Sequence, residues 1–279
     1  MTGPLDRAVT VICKTFERPA SVAAFIASVR RFYPTIAIVV ADDSREATVG
    51  AEPGVEIVRL PYDTGLAAGR NAALARVTTP YFVVCDDDFV FCRQTRLERL
   101  LEIAETTPFK IVGGGLMDHR RGTGVCRGRL HFAGTLDIED GVLIHRKRRD
   151  RGMIDGLPKY DFIVNFFLAQ CAAVGPAPWD NTFKIGHEHG DFFLLMRNRG
   201  VLATEAPDVW VEHYPNLPLG YAAARRRSTD FDTYFFDKWR FREQRIEGGP
   251  DYDLTDKVRF GWPSKLAYAL RGFRPARAR

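Results

Sequence analysis

Long apolar runs are missing from this 279-residue chain. No stretch approaches the ~18 consecutive apolar residues that mark a bilayer-crossing helix, so no transmembrane segment is expected. Met1 to Arg7 lack the apolar core of a secretory signal. Cysteine is scarce: Cys13, Cys85, Cys92, Cys126 and Cys171, an odd number with no CxxC. That pattern argues against a disulfide frame and for buried thiols in a reducing, cytoplasmic compartment. The glycine signatures of nucleotide loops are missing too. There is no GxGxxG after the first strand and no GxxxxGKS/T, so neither dinucleotide nor P-loop binding is supported. Gly122-x-Gly124-x-x-x-Gly128 sits among arginines, opens no periodic helix and reads as a loop. Zinc-finger spacing, RNP patterns and helix-turn-helix signatures are also absent, so nucleic acid is not an expected partner.

What is present is enough for a full core. The chain is 46% hydrophobic and 27% charged, with a net charge of +5. Mild basicity suits a phosphate-bearing ligand or an anionic membrane surface. The chain is organised around Cys85-Asp86-Asp87-Asp88-Phe89. Three carboxylates follow the apolar run Tyr81-Phe82-Val83-Val84-Cys85, which reads as a buried strand. Carboxylates so close repel one another unless a cation lies between them. A hard divalent ion, Mg²⁺ or Mn²⁺, would hold Asp86 and Asp88 together and bridge to a diphosphate.

The flanking segments alternate strand and helix. Val9 to Cys13, Ile36 to Ala41, Val55 to Leu60, Tyr81 to Cys85 and Lys110 to Val112 read as strands. Val22, Phe25, Ile26 and Val29 mark one helix face, Gly65 to Val77 a second helix, and Leu97, Leu100, Leu101 and Ala104 a third. This alternation predicts a parallel, doubly wound α/β sheet with helices on both faces. Three strands end in polar loops: Thr15 and Arg18, Asp42 and Asp43, and Asp86 to Asp88. On a parallel sheet these ends share one rim, where ligands bind. Together they offer acceptors for a base and ribose, cations for phosphate and carboxylates for a metal, which fits a nucleoside diphosphate.

Seven stretches then carry a resemblance: Lys14 to Arg18, Arg30 to Thr35, Ala41 to Ser44, Ala68 to Asn71, Asp86 to Phe91, Thr95 to Leu100 and Val164 to Ala169. In this order and spacing they resemble the catalytic domain of the ganglioside-type β-1,4-N-acetylgalactosaminyltransferases. More widely, they are similar to family 2 glycosyltransferases of the GT-A fold, from about Val9 to His213. The resemblance implies that Thr15 and Arg18 line a uridine pocket and that Asp42 or Asp43 binds uracil or ribose. It implies that Arg70 and Asn71 flank the nucleotide. Asp86, Asp87 and Asp88 would form the DxD region, with Asp86 and Asp87 on the donor and Asp86 and Asp88 on the metal. It further places Asn165 near the donor sugar and, with Trp179, on the acceptor side.

The second half is read more coarsely. Arg146-Lys147-Arg148-Arg149 is a solvated basic run or an acceptor rim. Glu139-Asp140-Gly141 reads as a hairpin turn. His187-Glu188-His189-Gly190-Asp191 precedes an apolar helix face that stops at Gly200. His187 and His189 are two apart, so they do not share a helical face as zinc ligands would. In GT-A enzymes this position resembles the acidic motif that supplies the base. Here the usual Glu-Asp pair reads Glu188-His189, and the base is open between Glu188, Asp191 and His189, with Asp191 also able to cap a helix beginning at Phe192. Val209 to His213 is a last strand, and His213 resembles the histidine that completes metal coordination. Residues 1–215 read as the GT-A domain and residues 216–279 as an aromatic and basic helical extension. In that extension Tyr234 to Phe241 packs on the core, and Arg271, Arg274, Arg277 and Arg279 surround Phe273. Such a tail suits peripheral contact with the inner face of a membrane.

The resulting expectation is a metal-dependent, inverting glycosyltransferase. It would move an N-acetylhexosamine or hexose from a UDP-sugar to a glycan, glycolipid or lipid-linked acceptor. A sugar nucleotidyltransferase would need a glycine-rich loop after the first strand, and Lys14 to Arg18 has none. A non-catalytic nucleotide-sugar module would not need the full acid, metal and base set.

Overall fold

The computed structural model describes residues 4–50, 52–119, 124–216 and 226–249. In the first half the elements are α1 (Pro4–Ala8), β1 (Val9–Thr15), α2 (Pro19–Phe32), β2 (Ala37–Asp42), β3 (Val55–Arg59), α3 (Leu66–Leu74), β4 (Tyr81–Asp86), β5 (Phe89–Val90) and α4 (Leu97–Thr106). There follow β6 (Ile111–His119), β7 (Cys126–Leu130), β8 (Gly134–Glu139), β9 (Val142–Lys147), β10 (Met153–Ile154), β11 (Leu157–Pro158), β12 (Phe167–Gln170) and α5 (Cys171–Val174). The chain continues through α6 (Glu188–Asn198), β13 (Ala203–His213), a 3-10 helix (Arg226–Phe231), α7 (Asp232–Trp239) and β14 (Glu243–Glu247).

The main sheet runs β3-β2-β1-β4-β12-β6-β13-β5, with β7 also on β6. β1, β2, β3 and β4 are parallel, as the strand-helix alternation predicts. Successive side chains of a strand point to opposite faces. Val9, Val11, Cys13, Val83 and Cys85 therefore pack on Phe25, Ile26, Leu97 and Leu100 from α2 and α4. Ile12, Phe82 and Val84 face the other way, onto Ala67 and Leu74 of α3 and Phe192 and Phe193 of α6. Two apolar layers thus sandwich the sheet, and helices cover both faces.

The sheet is mixed rather than wholly parallel. β12 enters its centre antiparallel to both β4 and β6. An unbroken apolar run reads as a buried strand but carries no signal of direction. The fifth expected strand is also longer than Lys110 to Val112, because it continues through Gly113-Gly114-Gly115 to His119. A Cβ on Gly114 would stand 2.6 Å from the Phe166 ring, so the bare backbone is what lets this strand pass the aromatic core.

β8 and β9 form the expected hairpin around Asp140 and Gly141, both with positive φ (48° and 74°), as a two-residue turn of this hand requires. β14 joins β9 in parallel, so the C-terminal segment contributes a strand as well as helix. Phe235 of α7 is fully buried among aromatic side chains. The basic tail from Arg271 to Arg279 lies outside the described residues, as does Gly122. Gly128 belongs to β7 rather than to a loop. Among the described residues no helix is long and apolar enough to cross a membrane.

Candidate active site

The C-terminal ends of β1, β2 and β4 meet on one rim, as the parallel register dictates: Lys14 lies beside Ala41 and Asp86, and Thr15 beside Asp42. A small cleft of about 80 Å³ opens there, lined by Lys14, Arg18, Asp43, Asp86, Asn165 and Glu188 among others. It shares Arg18, Asp86 and Asn165 with a larger cavity of about 490 Å³ that also holds Asp88, His189 and His213. The first is the candidate donor cleft, and the second adjoins it at the acidic turn.

Arg70 sits behind the junction and is 2% exposed. Its Nη2 donates to Asp86 at 2.9 Å, and its Nη1 lies 3.9 Å from Glu188 Oε1. One buried guanidinium therefore stands between the DxD carboxylate and the carboxylate at the start of α6. Asn165 donates to the other Asp86 oxygen at 3.3 Å, and its Oδ1 is buried without a hydrogen-bond partner. Lys14 donates to Asp43 at 2.5 Å, and the Gly65 N–H donates to the same carboxylate at 2.8 Å. Burial pushes the Lys14 ammonium down while Asp43 pulls it back up. Gly65 (φ +106°) is needed here, because a Cβ would lie 2.6 Å from Lys184 Cα.

Several residues expected in the cleft serve it from behind. Thr15 is fully buried and donates to Asp87 at 2.6 Å, so its hydroxyl faces no donor pocket. Asp87 is likewise fully buried and is gripped by Arg18 through Nε and Nη2. Burial pushes the Asp87 carboxyl up, and the Arg18 guanidinium pulls against it. Asp42 accepts from Ser44 N, Thr48 N, Thr48 Oγ1 and Arg59, which outweigh its burial and hold its carboxyl low. Asp43 is fully buried as well and holds Lys14 and the Gly65 N–H, but it lines the cleft whereas Asp42 does not. Asn71 holds the backbone of Trp179 in both directions, through Nδ2 at 2.6 Å and Oδ1 at 3.2 Å. Trp179 is 2% exposed and stacks on Phe192, so it belongs to the core and not to the acceptor side.

The base candidates separate clearly. α6 begins at Glu188, not at Phe192, and no side chain caps it. Glu188 lines the donor cleft. Asp191 is 1% exposed and receives Lys238 Nζ at 2.7 Å and Trp239 Nε1 at 2.8 Å. It neither caps the helix nor reaches the cleft. Burial pushes its carboxyl up while Lys238 opposes the shift. His189 is half-buried, and its Nε2 makes a 2.7 Å hydrogen bond to the Ile163 carbonyl. Desolvation and the nearby Arg70 lower it to about 3. It is therefore neutral near pH 7 and its titration lies far below pH 6.5.

Asp86, Asp88 and His213 do not form a ready cage. Among the described residues no three acidic, His or Cys side chains converge as a set of metal ligands. Arg70 and Asn165 draw Asp86 to one side, whereas Asp88 accepts from Arg18 Nη1 at 2.8 Å and lies 3.6 Å from His213 Nε2. The remaining pair still suits a divalent ion. His213 Nδ1 is 2.7 Å from Asp118, the carboxylate behind an imidazole that fixes a metal-ligating ring nitrogen. Burial would lower the His213 imidazole, but Asp118 and Asp88 raise it to about 10. The two carboxylates thus favour a positive charge at this place, and an ion held by Asp88 and His213 Nε2 would have to displace the imidazolium proton they stabilise.

Other cleft residues went unnoticed in the sequence. Arg227 holds Asp63 with both terminal nitrogens, at 2.8 and 3.0 Å, and Lys184 Nζ lies 3.6 Å from the same carboxylate. All three line the donor cleft. The only local signal was the turn Pro61-Tyr62-Asp63-Thr64-Gly65; nothing in the chain order pairs it with residue 227.

The profile of glycosyl transferase family 2 matches residues 10–174. The chain belongs to that family. It is 38% identical over 224 residues to beta-1,4 N-acetylgalactosaminyltransferase 1 of Rattus norvegicus, covering 77% of this chain and 40% of that protein. The Homo sapiens protein of the same name is 36% identical over 235 residues, with 81% and 42% covered. Beta-1,4 N-acetylgalactosaminyltransferase 2 of Mus musculus is 32% identical over 213 residues, with 75% and 40% covered. This family 2 chain therefore spans about two-fifths of the length of these relatives. Its fold is similar to that of GalNAc-T7 crystallised with UDP, GalNAc and Mn²⁺ (TM-score 0.54, 12% identity, 82% of this chain and 50% of that one). It is also similar to S. aureus TarS 1-349 in complex with UDP (TM-score 0.51, 12% identity, 82% and 72%). At that identity the likeness concerns the fold alone, which is GT-A.

Proposed function

We propose that this family 2 chain transfers a sugar, an N-acetylhexosamine or a hexose, from a UDP-sugar to a hydroxyl of a glycan, glycolipid or lipid-linked acceptor. The observation that carries the reading is that Glu188 and Asp86 line one cleft, with Arg70 behind both and Asn165 beside Asp86. Lys14, Arg18, Lys184 and Arg227 line the same cleft; they pair with Asp43, with Asp87 and Asp88, and with Asp63, and a diphosphate would compete with those carboxylates for them. Asp43 is the acceptor best placed for the nucleoside. Glu188 takes the proton of the attacking hydroxyl as general base. The hydroxyl would meet the face of the anomeric carbon opposite the diphosphate, within reach of Glu188, so that the configuration inverts. A bound Mn²⁺ or Mg²⁺, held by Asp88 and His213, would neutralise charge on the leaving diphosphate. The UDP named with GalNAc-T7 and TarS, and the Mn²⁺ named with GalNAc-T7, support this choice of donor and cation.

The test is a panel of UDP-sugars with and without Mn²⁺, read by thermal unfolding and by UDP release. One or more donors should raise the melting temperature in a metal-dependent way, because a ligand bound only by the native state stabilises it. The same donors should release UDP when an acceptor is supplied. A panel in which no UDP-sugar shifts the melting temperature and none is consumed would overturn the reading.

A further inference from the structure

A second polar cavity, of about 160 Å³, lies between the β10–β11 hairpin and the last turn of α6. It has no lining residue in common with the donor cleft. We propose that it binds a phosphate group, carried on a lipid headgroup or free in solution, independently of the donor.

Charge is the first reason. Arg151, Lys159 and Arg197 line the cavity, and Asp161 is its one carboxylate. Arg151 is committed, donating to Asp161 at 2.7 and 2.9 Å and to Asp137 at 2.5 Å. Arg197 uses Nη1 on the Leu136 carbonyl at 2.6 Å, and its Nε stays 4.0 Å from Asp161. Lys159 has no side-chain hydrogen bond or ion pair among the described residues. The helix end at Gly200 adds about half a negative charge. Within the lining, three cations therefore face one carboxylate and that helix end. Outside it, Glu205 holds Arg129 at 3.5 Å, and Asp137 faces Arg151 while sharing Arg146 with Glu139 and Glu247, so the excess is local to the lining and rests on Lys159.

Surroundings are the second reason. Phe193, Met196, Val201 and Leu202 also line the cavity, so its charges face a floor of low polarity that strengthens their attraction for an anion. The hairpin fixes the cations: Arg151 N donates to the Lys159 carbonyl at 2.7 Å, and Lys159 N donates to the Gly152 carbonyl at 2.9 Å. Both basic residues thus sit at one hairpin base. Two residues beyond Arg151, Met153 is 61% exposed, the largest exposure among the described large apolar side chains that face solvent. Arg149 is exposed just before it. An exposed apolar side chain beside a cationic cavity matches the boundary of an anionic membrane, with the acidic turn Asp155-Gly156 lying past it along the hairpin.

The experiment measures binding of inorganic phosphate to the full chain by calorimetry with UDP at saturation, so that the donor cleft is filled. Lys159→Glu and Arg197→Gln should each weaken phosphate binding by about tenfold or more, because a charge-assisted hydrogen bond is lost. UDP-sugar turnover should not change in Lys159→Glu, so a failure of this site and a failure of the proposed transfer are told apart. Sedimentation with vesicles of phosphatidylcholine containing phosphatidic acid identifies the source. If Lys159→Glu and Met153→Asp both reduce co-sedimentation, the phosphate is lipid-borne. If calorimetry shows the loss and wild type does not sediment, it is free. Wild-type phosphate affinity in both cation variants, with unchanged melting temperatures, would overturn the proposal.

Discussion

Lys238 and Asp191 meet at 2.7 Å, where the C-terminal segment crosses the first turn of the helix that carries Glu188. Trp239 Nε1 donates to the same carboxylate oxygen at 2.8 Å. The acid three residues beyond the proposed base is thus a fastener between segments. Asp191→Asn should cost about 1–3 kcal/mol of stability, toward the lower part of the range for broken buried pairs because Lys238 keeps Asp180. The variant should retain most of its kcat below its lowered melting temperature. Denaturant unfolding and steady-state kinetics on the same preparation check both halves. A large loss of kcat at unchanged stability would return Asp191 to the chemistry.

Glu188→Gln should do the reverse. The amide keeps the size of the side chain but takes no proton, so kcat should fall by about 10²-fold or more. UDP affinity and melting temperature should stay near wild type. Near-wild-type turnover in this variant would leave the chain without its base.

Asp88→Asn addresses the cation. Asp88 and His213 are the two groups placed to hold one, and Asp118 orients the imidazole. The variant should lose the part of UDP affinity that depends on Mn²⁺ and keep the part measured in EDTA. Calorimetry in the two conditions separates them, and an unchanged Mn²⁺ increment would rule out Asp88 as a ligand.

His145 gives a pH signature unrelated to catalysis. It is 3% exposed, packs between Phe132 and Phe162, and is lowered by burial to about 4. A histidine with a depressed folded value is neutral to the balance while both states are unprotonated, and it favours the unfolded chain once that chain alone can take up the proton. Stability is therefore complete above about pH 6.5 and falls as pH drops toward 4. The loss from this residue is roughly 3 kcal/mol at most. His145→Phe should change the slope of the stability profile between those pH values, leaving the parts due to His119, His189, Asp87 and Glu205. Denaturant midpoints at several pH values, compared as slopes, give the answer whatever the absolute stability of the variant. An unchanged slope would show that His145 does not carry the effect.

The sequence exposed what repetition and proximity can encode. Short apolar runs at β1, β2 and β4, set between helical periods, named the buried strands, and the polar residues that follow them named the rim. Asp86 and the pair Asp42 and Asp43 followed from that, because each lies at a strand end whose position is local, whereas Glu188 came with the family resemblance and shared its place with Asp191 and His189. The direction of β12 did not follow, since an apolar run is the same read either way. Nor did the fates of Asp191, Trp179 and Asp42. Each looked available from its neighbours, yet its partners come from elsewhere: Lys238 and Trp239, Phe192, and Arg59 with Thr48. A polar residue is legible as catalytic only when no distant group has already taken its hydrogen bonds, and that depends on pairings the order of the chain does not display.

The place of β12 also governs how the molecule is made. It fills the gap between β4 and β6, yet it is synthesised after both. While residues 87–166 are still being added, on the order of ten seconds of translation, β4 has an open edge of unpaired backbone. Such edges invite pairing with other chains. A nascent chain stopped before Phe167 is therefore not a smaller version of the folded domain but an unfinished sheet with one edge open. The strand that ends in Asp86 gains its second neighbour only when that segment arrives.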